Sequence, residues 1–272
     1  MAAGFDVREV PGQLVKRDRR AESRGKSDAL DALLIARVVA RGDKLPPPPF
    51  EGLAHDLKAL VDHRETLLNE ATRHRNRAHA ILTQIRPGYS RVVAALTSTA
   101  QLEAARELIL DDSTIRAEVL RDALARVEEL DASAKTLEKQ IDALVMASGT
   151  KLTQIVGIAA ITAGRIIGEL RDVGRLSGQA AFGAMTGTAP VPASSGKTER
   201  WRLNRGGNRQ LNRAMHTIAL TQSSHDARAR VYLQGKRAAG KSEREAMRCL
   251  KRHLARVVYR RLIADKTVAL LT

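Results

Sequence analysis

Aromatic residues are scarce in this chain: Phe, Trp and Tyr together make up 3% of its 272 residues. A core assembled without them must come from Leu, Val, Ile and Ala, the material of helical bundles. Cysteine is scarcer still. Cys249 stands alone, which excludes an intrachain disulfide and a four-cysteine zinc site and agrees with a reducing compartment. No run of about 18 apolar residues occurs, and Met1 to Val10 lacks the apolar stretch of a signal peptide. The expected location is the cytoplasm, with no membrane partner. The seven histidines are scattered, and no pair combines metal-ligand spacing with carboxylate or cysteine support.

What the chain has in excess is positive charge, a formal +16, and it is concentrated. Residues 195–261 hold eighteen Lys/Arg against four Asp/Glu, whereas residues 51–147 hold thirteen against sixteen. A basic block of that density implies a polyanionic partner and steep salt dependence, because each neutralised phosphate releases counterions. An anionic membrane surface fits less well, since the block lacks the broad Leu or aromatic face of an interfacial helix.

Along the chain, Phe5 to Val10 alternates apolar and polar residues, the period of a half-buried strand. A lone strand needs partners that the chain does not obviously supply. An arginine-rich loop follows, through Lys16, Arg17, Arg19, Arg20 and Arg24. Ser27 reads as the N-cap of a helix from Asp28 to about Arg41, stopped by Gly42 and the Pro46–Pro49 linker. From Glu51 to about Arg86, Leu53, Leu60, Leu67 and Ile81 recur at seven-residue spacing with His74 in the remaining slot, and Leu57, Ala71, Ala78 and Ile85 form a second line. A second long helix, about Ser113 to Ala147, carries Leu120, Val127, Ala134 and Ile141 on one line and Ala123, Leu130, Leu137 and Leu144 on the other. Pro87-Gly88-Tyr89 separates the two, and a short helix is expected over Gln101–Leu110. Such heptads serve either a coiled-coil hairpin that joins copies into a homo-oligomer or an internal helix pair.

After Ser148-Gly149 the composition changes. Leu152 to Leu170 reads as two short helices joined at Gly157-Ile158-Ala159-Ala160, similar to a helix-hairpin-helix whose backbone N–H groups meet a phosphate. A plain turn explains the same residues, and with Ala159 where that hairpin has its second glycine, the residues alone favour the turn. From Lys236 to Arg261 one basic amphipathic helix is expected. Arg244, Arg248, Lys251, Arg252, Arg256 and Arg260 would face outward toward phosphate, with Cys249, Leu250, Leu254 and Val257 or Val258 inward; a merely solvated face fits less well, because balancing acids are nearly absent.

Two constellations carry candidate chemistry. Asp28 and Asp31, three apart on a helix, present carboxylates on one face that can converge on a cation such as Mg²⁺. Acids in a first helical turn also simply offset the helix dipole. The second constellation is Ser194-Ser195-Gly196-Lys197, followed by Arg202, Arg205-Gly206-Gly207-Asn208-Arg209 and Arg213. A serine among guanidinium groups can attack a phosphodiester while the arginines stabilise the developing charge; the sequence names no obvious base, and His216, one candidate, fits a packing or phosphate contact on its helix better. Asn208 reads as an N-cap, which puts a helix N-terminus, a ready anion site, beside the loop. A flexible basic DNA-binding loop without catalysis fits the same residues and, on the residues alone, ranks first. Trp201 either stacks on a base or covers the loop's own core.

Taken together and in order, Gly25-Lys26-Ser27-Asp28-Ala29-Leu30-Asp31-Ala32, the heptad helices, the Gly157 hairpin, Gly187-Thr188-Ala189-Pro190 with Ser194-Ser195-Gly196, and Arg205-Gly206-Gly207-Asn208 with Leu211 span the chain. That combination resembles the insertion-sequence one-ten family of bacterial transposases, of the DEDD type, some of which act as recombinases guided by a bridge RNA. The resemblance implies a mainly α chain in three parts. Residues 1–45 would be the C-terminal remnant of a RuvC-like (RNase H-like) α/β domain, 46–147 a helical coiled-coil connector, and 148–272 a C-terminal domain with the helix-hairpin-helix-like motif and the serine loop. Asp28 and Asp31 match the last two acids of a tetrad that binds Mg²⁺. Ser194 or Ser195 matches a nucleophilic serine, Ser195 being the first choice. Arg17, Arg19, Arg20, Arg24, Lys197, Arg202, Arg205, Asn208, Arg209 and Arg213 are the expected nucleic-acid contacts. The implied partners are DNA, a structured guide RNA and further copies of the chain. The first Asp and the Glu of the tetrad belong upstream of this sequence, and Asp6 lies at the wrong place to substitute. The expectation is therefore an N-terminally truncated transposase that binds nucleic acid and does not recombine DNA unaided. The alternative is a non-catalytic module that regulates an intact copy.

Overall fold

The structure, a computed structural model, describes residues 7–10, 14–15, 27–42, 45, 52–192, 201–202, 204 and 206–269; at 192, 201–202 and 267–269 the backbone alone is described. It is mainly helical. Helix α1 (Asp28–Ala40) begins where Ser27 Oγ accepts the Leu30 amide at 3.2 Å, and it buries Leu30, Leu34 and Val38 on one face. Val7–Val10 takes no regular secondary structure, so the expected strand is not seen over those residues, while Phe5 and Asp6 lie outside the described ones. Glu9 instead pairs with Arg175 at 3.0 Å.

Helices α2 (Leu53–Ile85) and α4 (Ile115–Ala147) run antiparallel, each 33 residues long. Arg64 bonds Glu138 at 3.2 Å and, further along α2, Arg75 meets Asp131 further back on α4. The heptad reading therefore has an intramolecular answer. Leu120, Val127, Ala134 and Ile141 are buried against the partner helix, and Leu130, Leu137 and Leu144 are half-buried along the seam. Side chains repeating at this spacing need a facing helix to leave water, and α2 supplies one within the chain.

The hairpin carries a separate core at each end. At the tip, Ala78 and Leu82 of α2 meet Leu120, Leu124 and Val127 of α4. Helix α3 (Thr99–Glu107) closes this tip with Leu102 and Ala105. The backbone around it is tied by Arg75 Nε to the Leu96 carbonyl and Arg86 Nε to the Leu108 carbonyl, both at 2.7 Å. At the base, Leu57 and Val61 of α2 and Ile141 and Val145 of α4 join a larger core shared with the C-terminal helices. The packing thus continues across the expected boundary at residues 147 and 148.

Helix α5 (Ala160–Leu170) crosses that base through two glycines a turn apart. A Cβ on Gly168 would lie 2.8 Å from the Lys58 backbone, and one on Gly164 would lie 3.1 Å from Ile141. Only hydrogen at these positions lets the helix axes come so close. Ahead of α5, the first of the two expected short helices is a single 3-10 turn, Leu152–Gln154. Gly157, at φ +86°, turns the chain against the neighbouring helix α7 (Arg209–His225), where a Cβ would sit 3.1 Å from Thr221 and 3.2 Å from the Ile218 carbonyl. Gln222 Nε2 donates to the Val156 carbonyl at 2.8 Å and holds the turn there.

Helix α6 (Gln179–Met185) leads into a short antiparallel ribbon, β1 (Val191–Pro192) with β2 (Trp201–Arg202), in which Val191 pairs with Arg202 and Pro192 with Trp201. Helices α7, α8 (Ala227–Ala238) and α9 (Glu243–Ala269) complete the chain. The single basic helix expected from Lys236 is in fact interrupted. Gly240 turns out at φ +80°, and Ser242 with Glu245 forms a reciprocal cap that starts α9: the Ser242 amide donates to Glu245 at 2.9 Å and the Glu245 amide to Ser242 Oγ at 3.4 Å. No helix among the described residues is long and apolar enough to cross a membrane.

Candidate functional site

The site is built on the end of α6. A helix leaves its last carbonyls without intrahelical partners, and three successive ones here are each met from the α7 side. Asn204 Nδ2 donates to the Ala184 carbonyl at 3.1 Å, the Asn208 amide to Met185 at 2.6 Å, and Asn212 Nδ2 to Thr186 at 2.8 Å. Asparagines four residues apart form a ladder against one helix end. It pins both legs of the β1–β2 ribbon, since β1 begins five residues after Thr186 and β2 ends two before Asn204.

Two glycines make that contact possible. Gly187 sits just past the helix in the left-handed region at φ +65°, the common residue for ending a helix. Gly207 lies against it: a Cβ there would be 2.5 Å from the Gly187 nitrogen and 2.8 Å from the Met185 carbonyl. Behind the turn, the Gly183 carbonyl accepts the amides of Thr188 at 2.9 Å and Ala189 at 2.8 Å. Thr186 is fully buried and shares a 2.9 Å hydroxyl contact with Thr188.

Asn208 caps α7 as its sequence position suggests, accepting the Leu211 amide at 3.0 Å. Its other end is engaged within the protein, for Asn208 Nδ2 donates to Glu169 at 2.5 Å. Glu169 also pairs with Lys58, and Lys58 with Asp62 at 2.9 Å. Burial disfavours the Lys58 ammonium, but these two carboxylates more than offset it and raise its pKa. One turn along, Glu65 of α2 bonds both Arg165 of α5, at 2.8 Å, and Arg213 of α7. Burial works against the Glu65 carboxylate, yet the two guanidinium groups outweigh it and hold its pKa down. The N-terminal half of α7, expected as an anion site, thus already faces carboxylates from the hairpin base and α5. Arg213 is still 61% exposed, and Arg209 is exposed as well.

Among the basic residues of α9, Arg244, Arg248, Arg256 and Arg260 are exposed as expected, but Lys251 and Arg252 turn inward. Lys251 occupies the buried arc marked by Met247, Leu250 and Leu254, at spacings of three and four, so its helix position overrides its charge. Its Nζ donates to Asn212 Oδ1 at 2.9 Å, and burial lowers its pKa. The Arg252 guanidinium lies over Gly183, on the space a side chain there would fill. Cations at the C-terminal end of α6 face its partial negative charge. His216, one turn beyond Asn212 on α7, has its pKa lowered by burial and then by Lys251.

Other expected site residues are placed as follows. Asp28 and Asp31 share the first turn of α1, Asp28 exposed and Asp31 half-buried. Among the described residues, no group of three or more His, Cys, Asp or Glu side chains is disposed to hold a metal ion. Ser194, Ser195, Lys197, Arg205, Arg17, Arg19, Arg20 and Arg24 lie outside the described residues, and only the backbone of Trp201 and Arg202 is described. The sequence reading missed Glu65, Glu169 and Asn212, and it set Lys251 on the wrong side of its helix. The four-residue spacing of Asn204, Asn208 and Asn212 was the available signal for one of them; Glu65 and Glu169 carry none outside the fold.

A family model described as the IS116/IS110/IS902 transposase family matches residues 149–234, which span α5 to α8 and the whole stem. A second transposase model, of the DEDD type named for IS110, matches residues 1–87. A protein of insertion element IS110 from Streptomyces coelicolor, described as an uncharacterized 43.6 kDa protein, is 28% identical over 94% of this chain and 76% of its own length. An uncharacterized 44.8 kDa protein of insertion element IS116 from Streptomyces clavuligerus is 26% identical over 98% of this chain and 78% of its own. The DEDD model takes in α1 and α2, the other model begins just after α4, and between them they account for more than half of the sequence. The chain thus carries transposase domains of the IS116/IS110/IS902 and IS110 DEDD kinds, the domains of an insertion-sequence transposase.

Proposed function

We propose that the chain serves an insertion sequence by cutting and rejoining DNA strands, with a serine of Ser194-Ser195-Gly196 as nucleophile, Ser195 first. The serine oxygen would give up its proton and bond to phosphorus as one bridging oxygen leaves with its electron pair and takes up a proton to become a free hydroxyl, holding the other strand end on the protein. The observation that carries this reading is the stem. A nucleophile gains most from a fixed approach, and the Asn204, Asn208 and Asn212 ladder ties the chain down on both sides of the β1–β2 ribbon, at Ala184–Thr186 and at Asn204–Asn212. Arg209 and Arg213 lie on the adjoining helix, where they can meet the charge that develops on the phosphate oxygens. His216, its protonation disfavoured by burial and by Lys251, is the described side chain nearest in role to a base.

Asp28 and Asp31 fit one part of a Mg²⁺ shell, because this ion commonly takes one or two carboxylates and completes its octahedron with water and phosphate oxygens. When bound, it would polarise a phosphate oxygen. DNA, a structured guide RNA and further copies of the chain are the partners of this reading. Copies would bring the acids of one chain to the serine of another.

The test uses duplexes carrying the ends of the encoding element and its flanking sequence, with the element's transcript present. A covalent protein–DNA adduct that survives denaturation, and is lost in Ser195→Ala or Ser194→Ala, supports the enzyme. Salt-steep binding without an adduct, together with interference with a longer relative, supports a non-catalytic regulatory module instead. With six phosphate contacts, affinity should fall on the order of 10³-fold between about 50 and 200 mM salt. Affinity that ignores salt would sink both readings.

A further inference from the structure

Lys251 is nine-tenths buried, and among the described residues its ammonium has Asn212 as its one hydrogen-bond partner. A buried cation without a carboxylate is costly, so its placement calls for a physical reason. The reason lies in what it does to Asn212. Lysine can only donate, so it requires the amide oxygen of Asn212 to face it. A backbone carbonyl can only accept, so the opposite end of the same amide, Nδ2, is presented to the Thr186 carbonyl. A free asparagine amide is nearly symmetric in shape and could flip. Flipped, it would set its oxygen against the Thr186 carbonyl and its NH₂ against the ammonium.

We infer that Lys251 is a positioning residue: it fixes the amide orientation of Asn212 and thereby locks the Thr186–Gly187 turn from which the serine ribbon departs. The consequence is that α9, through Lys251, sets the geometry of the serine stem from behind. The idea rests on the proposed serine chemistry only for its effect on activity. The lock itself is independent of that chemistry.

The experiment compares Lys251→Met, Lys251→Arg and Asn212→Asp in the full chain. Lys251→Met keeps the length and loses the donor. Asn212→Asp keeps an acceptor for Lys251 and sets an oxygen against the Thr186 carbonyl. Three readouts are taken: amide protection at Thr188, Ala189, Val191 and Arg202; duplex affinity at fixed salt; and adduct yield. Lys251→Met and Asn212→Asp should both lose protection at those amides and keep duplex affinity within about twofold, since no phosphate contact is removed. Adduct yield should fall by roughly tenfold or more, as for any loss of approach geometry. Lys251→Arg, which keeps donors, should recover part of the protection. Unchanged protection in a folded Lys251→Met overturns the inference. So does a drop in affinity with a salt slope reduced by about one, which would make Lys251 a phosphate contact. If Lys251→Met fails to fold, Asn212→Asp decides by the same readouts. If wild type gives no adduct while protection still falls in the variants, the serine reading fails and the lock stands.

Discussion

The two ends of the α2–α4 hairpin use the same kinds of residue for opposite purposes. At the tip, the core and the ion pairs are local: Arg75 with Asp131, Arg106 with Glu128 and Arg86 with Asp112 all join parts of the hairpin and its cap. At the base, the pairs reach outward. Lys58 meets Glu169 of α5, and Glu65 meets Arg165 of α5 and Arg213 of α7. The tip closes on itself, whereas the base is completed by the C-terminal helices. A heptad repeat reports that a facing helix exists; what lies beyond that helix is decided by residues off the seam.

The largest expected effect tests whether the tip is self-contained. Leu120→Ala empties a fully buried position in the tip core and should destabilise it by about 2–5 kcal/mol. Amide exchange should rise over α3 and the adjoining ends of α2 and α4, with α5 to α9 unchanged. Uniform loss of protection would erase the contrast between the ends. Gly168→Ala probes the base. Its new Cβ would meet Lys58 backbone, which cannot swing aside, so a cost of roughly 1–3 kcal/mol is expected. The readout is the denaturation midpoint, together with exchange in α5 and α7 while the tip stays protected.

Glu65→Gln is smaller, about 1 kcal/mol, because the carboxylate is partly exposed. It also supplies a pH signature. The Glu65 pKa is depressed in the folded state, so its contribution is present at neutral pH. It is lost as pH falls below the ordinary carboxylate range and through the lowered value. In acid titrations followed by exchange at Arg165 and Arg213, wild type should loosen there and Glu65→Gln should show a flatter response. Duplex affinity of Glu65→Gln should rise, since Arg213 no longer shares its charge; an unchanged affinity would remove Arg213 from the interface. Smallest of all is Arg126→Ala. Among the described residues it pairs with Glu129 alone, on the exposed face of α4, both more than half exposed, so thermal melting should show a change within about 0.5 kcal/mol.

Much of this was legible in advance, and the reasons are specific. Ser27 and Asn208 declared their helices because a side-chain acceptor before a helix has one purpose, and both caps form. Leu120, Val127, Ala134 and Ile141 declared the long pair because their spacing matches the helical period. Gly157 marked a turn, although its left-handed backbone is needed for close approach to α7, and no helix of two turns fits before it. What stayed hidden depended on neighbours remote in sequence. Lys251 read as outward-facing because charge normally overrides pattern, yet its spacing from Met247 and Leu254 already placed it on the buried arc. Glu65 and Glu169 sit among charged neighbours that look interchangeable until the α5 crossing brings one to Arg165 and the other to Asn208. The serine-loop chemistry was read from residue types and their order, and the stem that would orient it became apparent only with the fold.

The length of the hairpin has a mechanical side. A 33-residue helix extends about 50 Å end to end, and from Val61 in the base core to Leu82 in the tip core is roughly 32 Å, a little under one turn of duplex at roughly 34–36 Å per turn. An arm of that length acts as a lever. A tilt of about 5° at the Gly164 and Gly168 crossing would carry the tip through about 4 Å. Small adjustments where Glu65 and Glu169 hold α5 and α7 would therefore be read at the far end as displacements comparable to the rise of a base pair.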